Sequence, residues 1–166
     1  ARAAEVSVNT VYTYFPSKED LVFYPREVSD QRLVRMVADR PPGVPAAAAV
    51  LTALRTELRH GDRFGHFLEM VRAEPTLSAR LDALSRRMVD ELAAYLATDS
   101  PTEADPDSLP HLIAAQLGWV QDQLFHTLAA LTRTGRPPTA ITEAGLALLD
   151  TVESLLGERV LSYAPR

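Results

Sequence analysis

The 166-residue chain contains no cysteine. Disulfide scaffolds, thiolate nucleophiles and cysteine-ligated zinc are thereby excluded, and a reducing cytoplasm is a compatible setting. Lysine is almost missing as well, since Lys18 is the only one and every other basic side chain is an arginine. With abundant Ala, Pro and Leu, this resembles the residue usage of a GC-rich genome, so an arginine is not functional merely by being present. No apolar run reaches membrane-spanning length, and no charged-then-apolar leader occurs. A Gly-rich phosphate loop, a Ser-His-Asp order with supporting context and a motif-placed carboxylate pair are all lacking. An enzyme is therefore not expected, nor a cofactor. His60, Asp62 and His66 match no common metal-ligand spacing and read as solvated residues around a glycine-containing helix break.

The net charge of −5 argues against nucleic-acid binding over the whole surface, and residues 1–40 hold six basic and six acidic side chains. Any contact with DNA has to be local. The segment able to make it runs from Glu5 to Val22. Wound as a helix from Val8 to Phe15, it places Val8, Val11 and Phe15 on one side and Asn9, Thr10, Thr13 and Tyr14 on the other. Ser7 stands at the N-cap, and Phe15-Pro16 ends the helix because the residue before proline is driven out of the α region. Ser17 and Asp20 then open a second helix with a capping-box-like pattern. Lys18 lies just inside that helix start, where free amides and the positive dipole end suit a phosphate. A short helix with small polar and aromatic side chains beside a phosphate-catching turn has the chemistry of a major-groove reader. A plain helical corner with an exposed polar face is the competing reading.

The residues from Val6 to Leu21, Val-Ser-Val-Asn-Thr-Val-Tyr-Thr-Tyr-Phe-Pro-Ser-Lys-Glu-Asp-Leu, resemble the end of the DNA-binding domain of TetR-type (tetracycline-repressor-like) transcriptional regulators. The resemblance implies that Ala1 to Ala4 finish a supporting helix, Glu5-Val6-Ser7 form the turn, and Val8 to Tyr14 form the recognition helix. It further implies that Thr10, Tyr12, Tyr14 and Lys18 touch phosphates or bases, that Asn9 and Thr13 face the groove, and that Val11 and Phe15 are core. Glu5 departs from the family's usual glycine at a turn position favouring positive φ. Asn9 also replaces a frequent glycine and brings an amide able to pair with adenine. The family's first helix and most of its second are not in the sequence, so the chain is expected to be a piece of a longer protein.

Downstream, the pattern is helical throughout. Pro25 should kink or split the segment from Ser17 to about Ala38 near Tyr24, as a hinge or as a packing kink. Pro41-Pro42-Gly43-Val44-Pro45 is a break. Helices are then expected from Ala46 to about Arg59, around Phe64 to Val71, from Thr76 to Ala97, from Leu109 to Leu131 and from about Thr139 to Leu156, with a polar linker over Asp99–Ser108. The Thr76 helix has one narrow apolar face of Leu77, Leu81, Leu84, Met88, Leu92 and Tyr95. The last two helices have apolar arcs about twice as wide, which implies burial on two sides. A two-fold homodimer follows from that breadth, with Leu117, Leu124, Leu128, Ile141, Gly145, Leu148 and Val152 as its candidate contacts, and the resemblance implies the same helices. A monomeric bundle with both helices central is the alternative.

Gln116, Gln123 and Thr127 lie nearly in line within the Leu109 helix. They either hydrogen-bond across a dimer, or orient a ligand in a cavity, or are satisfied core groups. Phe64, Phe67, Met70, Gln116, Trp119 and Gln123 are the candidate pocket residues. The expected architecture is all-α, with residues 1–24 ending a helix-turn-helix domain and residues 25–166 forming a helical ligand-binding and dimerisation domain. The expected function is sequence-specific regulation of transcription, as a repressor released from a pseudo-palindromic operator by a small apolar or amphipathic effector. A helical small-molecule carrier without significant DNA binding is the other reading.

Overall fold

A computed structural model describes residues 29–60, 64–99 and 108–164. Every regular element among them is helical: α1 Arg32–Ala38, α2 Ala46–His60, α3 Phe64–Ala73, α4 Pro75–Asp99, α5 Leu109–Arg133, α6 Pro138–Leu155 and a single turn, α7 Glu158–Leu161. The protein is all-α, as its periodicity dictates. Helix α5 is the central element, packed on α3, α4 and α6 and touching α2, while α1 lies on α2 and α4.

Prolines and glycines set the boundaries. Pro75 and Pro138 each begin a helix, where a missing N–H costs nothing and the fixed φ suits the first turn. At the end of α5, Gly135 adopts φ +69°, its N–H donates to Thr132 C=O, and Arg136 N–H donates to Leu131 C=O. This Schellman closure satisfies carbonyls that the helix leaves over, and the left-handed position is one that glycine takes without a Cβ clash. Gly43, at φ +80°, turns the chain between α1 and α2 in the same way.

The core is a continuous aliphatic cluster. Leu33 and Val37 of α1, Val50, Leu51 and Leu54 of α2, Leu81, Met88, Leu92 and Leu96 of α4, Ile113 and Leu117 of α5 and Leu149 of α6 are at most 1% exposed. The narrow stripe expected on α4 is the buried one, with Leu77 and Tyr95 partly buried at its ends. Arg40 locks the far end: its Nε donates to Val44 C=O at 3.1 Å, Nη1 to Val37 C=O at 2.6 Å, and Nη2 to Ala164 C=O at 3.0 Å and to Asp99. One side chain thus ties the α1–α2 turn to the end of α4 and to the C-terminal segment. Such a multiply bonded buried cation holds position because any movement strips a charged donor of its partners.

The wide arcs of α5 and α6 divide differently from expectation. Leu117, Leu124, Leu128 and Val152 are at most 4% exposed within a single chain, so they belong to its own core. Gly145 is buried too: a Cβ there would stand 3.0 Å from Leu58 Cδ2 and 3.4 Å from Leu124 Cδ1, so the close approach it permits is to α2 and α5 of the same chain. Ile141 and Leu148 are partly buried against the same core. The outward half of the α5 arc is instead Leu112, Gln116, Trp119 and Gln123, with Leu112 53% and Trp119 46% exposed. Sequence breadth marks two buried sides without choosing between them, and the neighbouring helices make that choice.

Candidate functional site

The candidate DNA-contacting residues Asn9, Thr10, Tyr12, Thr13, Tyr14 and Lys18 lie outside the described residues, as do Pro25 and the expected kink. The first described helix after them is α1, and its surroundings form the site. A cavity of about 610 Å³ opens between α1 and α2. Its apolar wall is Met36, Pro41, Val44, Ala49 and Ala53, and its polar groups are Arg32, Arg35, Asp39, Arg40, Thr52 and Glu57. That volume and mixture suit a small molecule with an apolar body and a polar end.

Arg32 is the structural centre of this wall. It opens α1 with only 3% of its surface exposed, and its guanidinium reaches two other helices. Nη2 donates to Glu57 of α2, Nε donates to Gln121 Oε1 of α5 at 2.8 Å, and the cation sits 5.6 Å from the centre of the Phe125 ring. Gln121 is itself 1% exposed, and its amide nitrogen lies 3.3 Å from Met88 Sδ of α4. A buried charge is tolerated only when paired and hydrogen-bonded, and here the described partners come from α2 and α5. Gln31 adds an exposed bond to Glu91 of α4 at 2.7 Å, and Arg35 donates to Ser29 Oγ at 2.8 Å.

A smaller cavity of about 310 Å³ lies between α3, the start of α4 and the end of α5, lined by Glu69, Arg72, Ala73, Ser78, His126, Ala129, Ala130 and Arg133. Arg72 Nη1 donates to Asp82 at 2.7 Å and to Ser78 Oγ at 3.3 Å, while its Nε is buried without a partner. Nearby, burial holds the Asp122 carboxyl above its ordinary value of 3.8, against the hydrogen bond from Ser85 (2.9 Å) and the positive charge of Arg72.

The candidate pocket residues are not brought together. Gln116, Trp119 and Gln123 are on the exposed side of α5, and Met70 of α3 is 49% exposed. Phe67 packs against the core, and none of these five lines either cavity. The side chain of Phe64 lies outside the described residues. What the periodicity missed is the α1–α2 cavity with Arg32, Glu57 and Gln121. Gln121 is a polar residue inside an apolar arc, a signal that could have found it, whereas nothing in the local pattern sets Arg32 apart from the other arginines. His60 Nδ1 lies 2.7 Å from Thr56 C=O, and among the described residues no group of three His, Asp or Glu could hold a metal. No helix of the described residues is long and apolar enough to cross a membrane.

Residues 1–24 match the model of the family described as bacterial regulatory proteins, tetR family. No curated protein and no solved structure is matched by the chain.

Proposed function

We propose, from the premise that this chain is a TetR-family DNA-binding regulator of transcription, that it is a dimeric repressor released from its operator by a small effector held between α1 and α2. The family match over residues 1–24 carries the reading. In it, residues 1–24 end the DNA-binding domain and residues 25–166 form the effector and dimerisation body. Asn9, Thr10, Tyr12, Thr13, Tyr14 and Lys18 make the DNA contacts, Lys18 holding a phosphate and Asn9 reading a base edge. TetR-family regulators are in general not enzymes, and no catalytic constellation was found in the sequence.

Two features of the body support the finer claims. The 610 Å³ cavity has α1 as one of its walls, so an occupant presses on the first described helix after the DNA-binding segment. Leu112 and Trp119, an exposed apolar pair flanking Gln116 on one stripe of α5, together with Leu155 of α6 at 72% exposure, offer the surface that a second copy would cover. The mechanism is a population shift, in which the effector favours a placement of the two heads that fits successive major grooves poorly.

The test is binding of the chain, with any preceding residues restored, to DNA fragments from its own genomic neighbourhood, titrated against salt beside Lys18→Ala and Tyr14→Ala. Sequence-selective binding with a steep salt slope, weakened by both substitutions, is the expected outcome. Indifference to sequence and to both substitutions would leave a helical carrier.

A further inference from the structure

We infer that the segment after α7, Tyr163–Ala164, is a strap that sets the joint between α1 and α2, clipped shut by Arg40 and able to release without unfolding the body. Its consequence for DNA binding rests on the regulator reading, while the strap itself stands on the geometry of the joint.

The sequence leaves this joint without a local cap. Pro41-Pro42-Gly43-Val44-Pro45 contains no Ser, Thr, Asp or Asn, so no side chain of the turn supplies the usual acceptor for the free amides that open α2. The acceptor comes from far along the chain instead: Ala46 N–H donates to Tyr163 C=O at 3.1 Å. Arg40 joins the same cluster from the other side. Its Nη1 donates to Val37 C=O in the last turn of α1, its Nε to Val44 C=O within the turn, and its Nη2 to Ala164 C=O. The end of α1 and the start of α2 thus meet in one set of bonds, and the strap supplies two of its acceptors.

The strap is also the strained member of the cluster. Ala164 has φ +52°, the only positive value at a non-glycine position among the described residues. Its Cβ disfavours that region, and Pro165, which follows in the sequence, restricts the preceding residue to extended backbone. Such a conformation persists only while its surroundings impose it. Here they are the Arg40 bond and the burial of Tyr163 and Ala164, 7% and 5% exposed. Two docked residues under strain open more readily than the aliphatic cluster of α4, α5 and α6. Once they open, α2 loses the acceptor of its first amide and Arg40 its partner at Ala164, so the angle between α1 and α2 is no longer fixed from that side. In the regulator reading, a loosened joint has to be re-ordered at each binding event, which weakens the DNA complex.

The full chain, with any preceding residues restored, is compared with a form ended after Ser162, with Arg40→Lys, which keeps the charge but not the planar fork, and with Ala164→Gly, which removes the strain. Amide exchange followed by NMR reads the strap at Ala46 and the body at Leu117 and Val120 of α5. Ala46 should exchange about tenfold faster in the truncated form and in Arg40→Lys and severalfold slower in Ala164→Gly, while the α5 amides stay within about twofold. DNA affinity, by fluorescence anisotropy, should fall severalfold on truncation and not fall in Ala164→Gly. Ala46 exchange unmoved by truncation, or accelerated together with the α5 amides, would overturn the inference. So would exchange no slower in Ala164→Gly, a variant that keeps every bond of the joint and decides the matter if the other two fail to fold. A released strap with unchanged DNA affinity would overturn the coupling to DNA. Selective DNA binding with an unmoved strap would remove the inference and leave the regulator reading intact. A strap that releases in a chain that binds no DNA would do the reverse.

Discussion

The two halves of the apolar arc on α5 are chemically alike and structurally opposite. Ile113, Leu117, Val120, Leu124 and Leu128 are at most 4% exposed, while Leu112 and Trp119, a short rotation away on the same helix, are about half exposed. The polar members divide in the same way: Gln121 is buried and bonded to Arg32, whereas Gln116 and Gln123 are exposed. A helix carries one hydrophobic pattern, but α3, α4 and α6 cover only part of it. The difference teaches that a wide arc measures how much surface wants covering, and the partner of each half is set elsewhere.

Cutting the inner half should have the largest effect. Leu117→Ala removes a fully buried side chain from between packed helices and should cost about 2–5 kcal/mol, read as a lowered urea midpoint at unchanged slope. Gly118→Ala comes next, because an added Cβ would sit 2.4 Å from Val89 Cγ2 of α4, across the contact between the two helices. We expect a loss of about 1–3 kcal/mol in the same assay. An unaffected midpoint would mean that α4 and α5 can separate there freely.

Cutting the outer half should leave the fold intact and change association. Trp119→Ala should weaken the dimer by about tenfold, roughly 1.4 kcal/mol, in sedimentation equilibrium, while the urea midpoint extrapolated to a dissociated chain stays put. A protein that remains monomeric at every concentration would show that this half is simply exposed.

The smallest effect concerns Asp122, between the two halves. Its folded carboxyl is held above 3.8 by burial, partly offset by the Ser85 hydrogen bond and by Arg72. A carboxyl raised on folding binds its proton more tightly in the native state, so its ionisation detracts from stability as pH rises from 3.8 through the folded value. Asp122→Asn, which keeps an oxygen for Ser85, should therefore be slightly more stable than the parent at neutral pH. That advantage should vanish at acid pH, as thermal melts across the range would show.

Much of the body was legible. The period of Leu81, Leu84, Met88 and Leu92 and the Pro41–Pro45 break are local signals, fixed by backbone sterics and by one helix facing one core. The cavity was not legible, because its wall is assembled from α1 and α2 across the Pro41–Pro45 turn and its polar groups look like surface charges when each helix is viewed alone. Gln116 and Gln123 stayed open between a dimer contact and a pocket, and Trp119 read as a pocket candidate, for a related reason: such groups at an apolar arc signal an unmet requirement but carry no direction.

The sequence by itself determined the helical periods, their punctuation and the TetR-type segment at residues 1–24, all of which are encoded in neighbouring residues and short spacings. Only the tertiary structure decided that Arg32 is a buried anchor and Trp119 an exposed surface. Whether a side chain is solvated or enclosed depends on which distant helices pack over it, and no local spacing contains that.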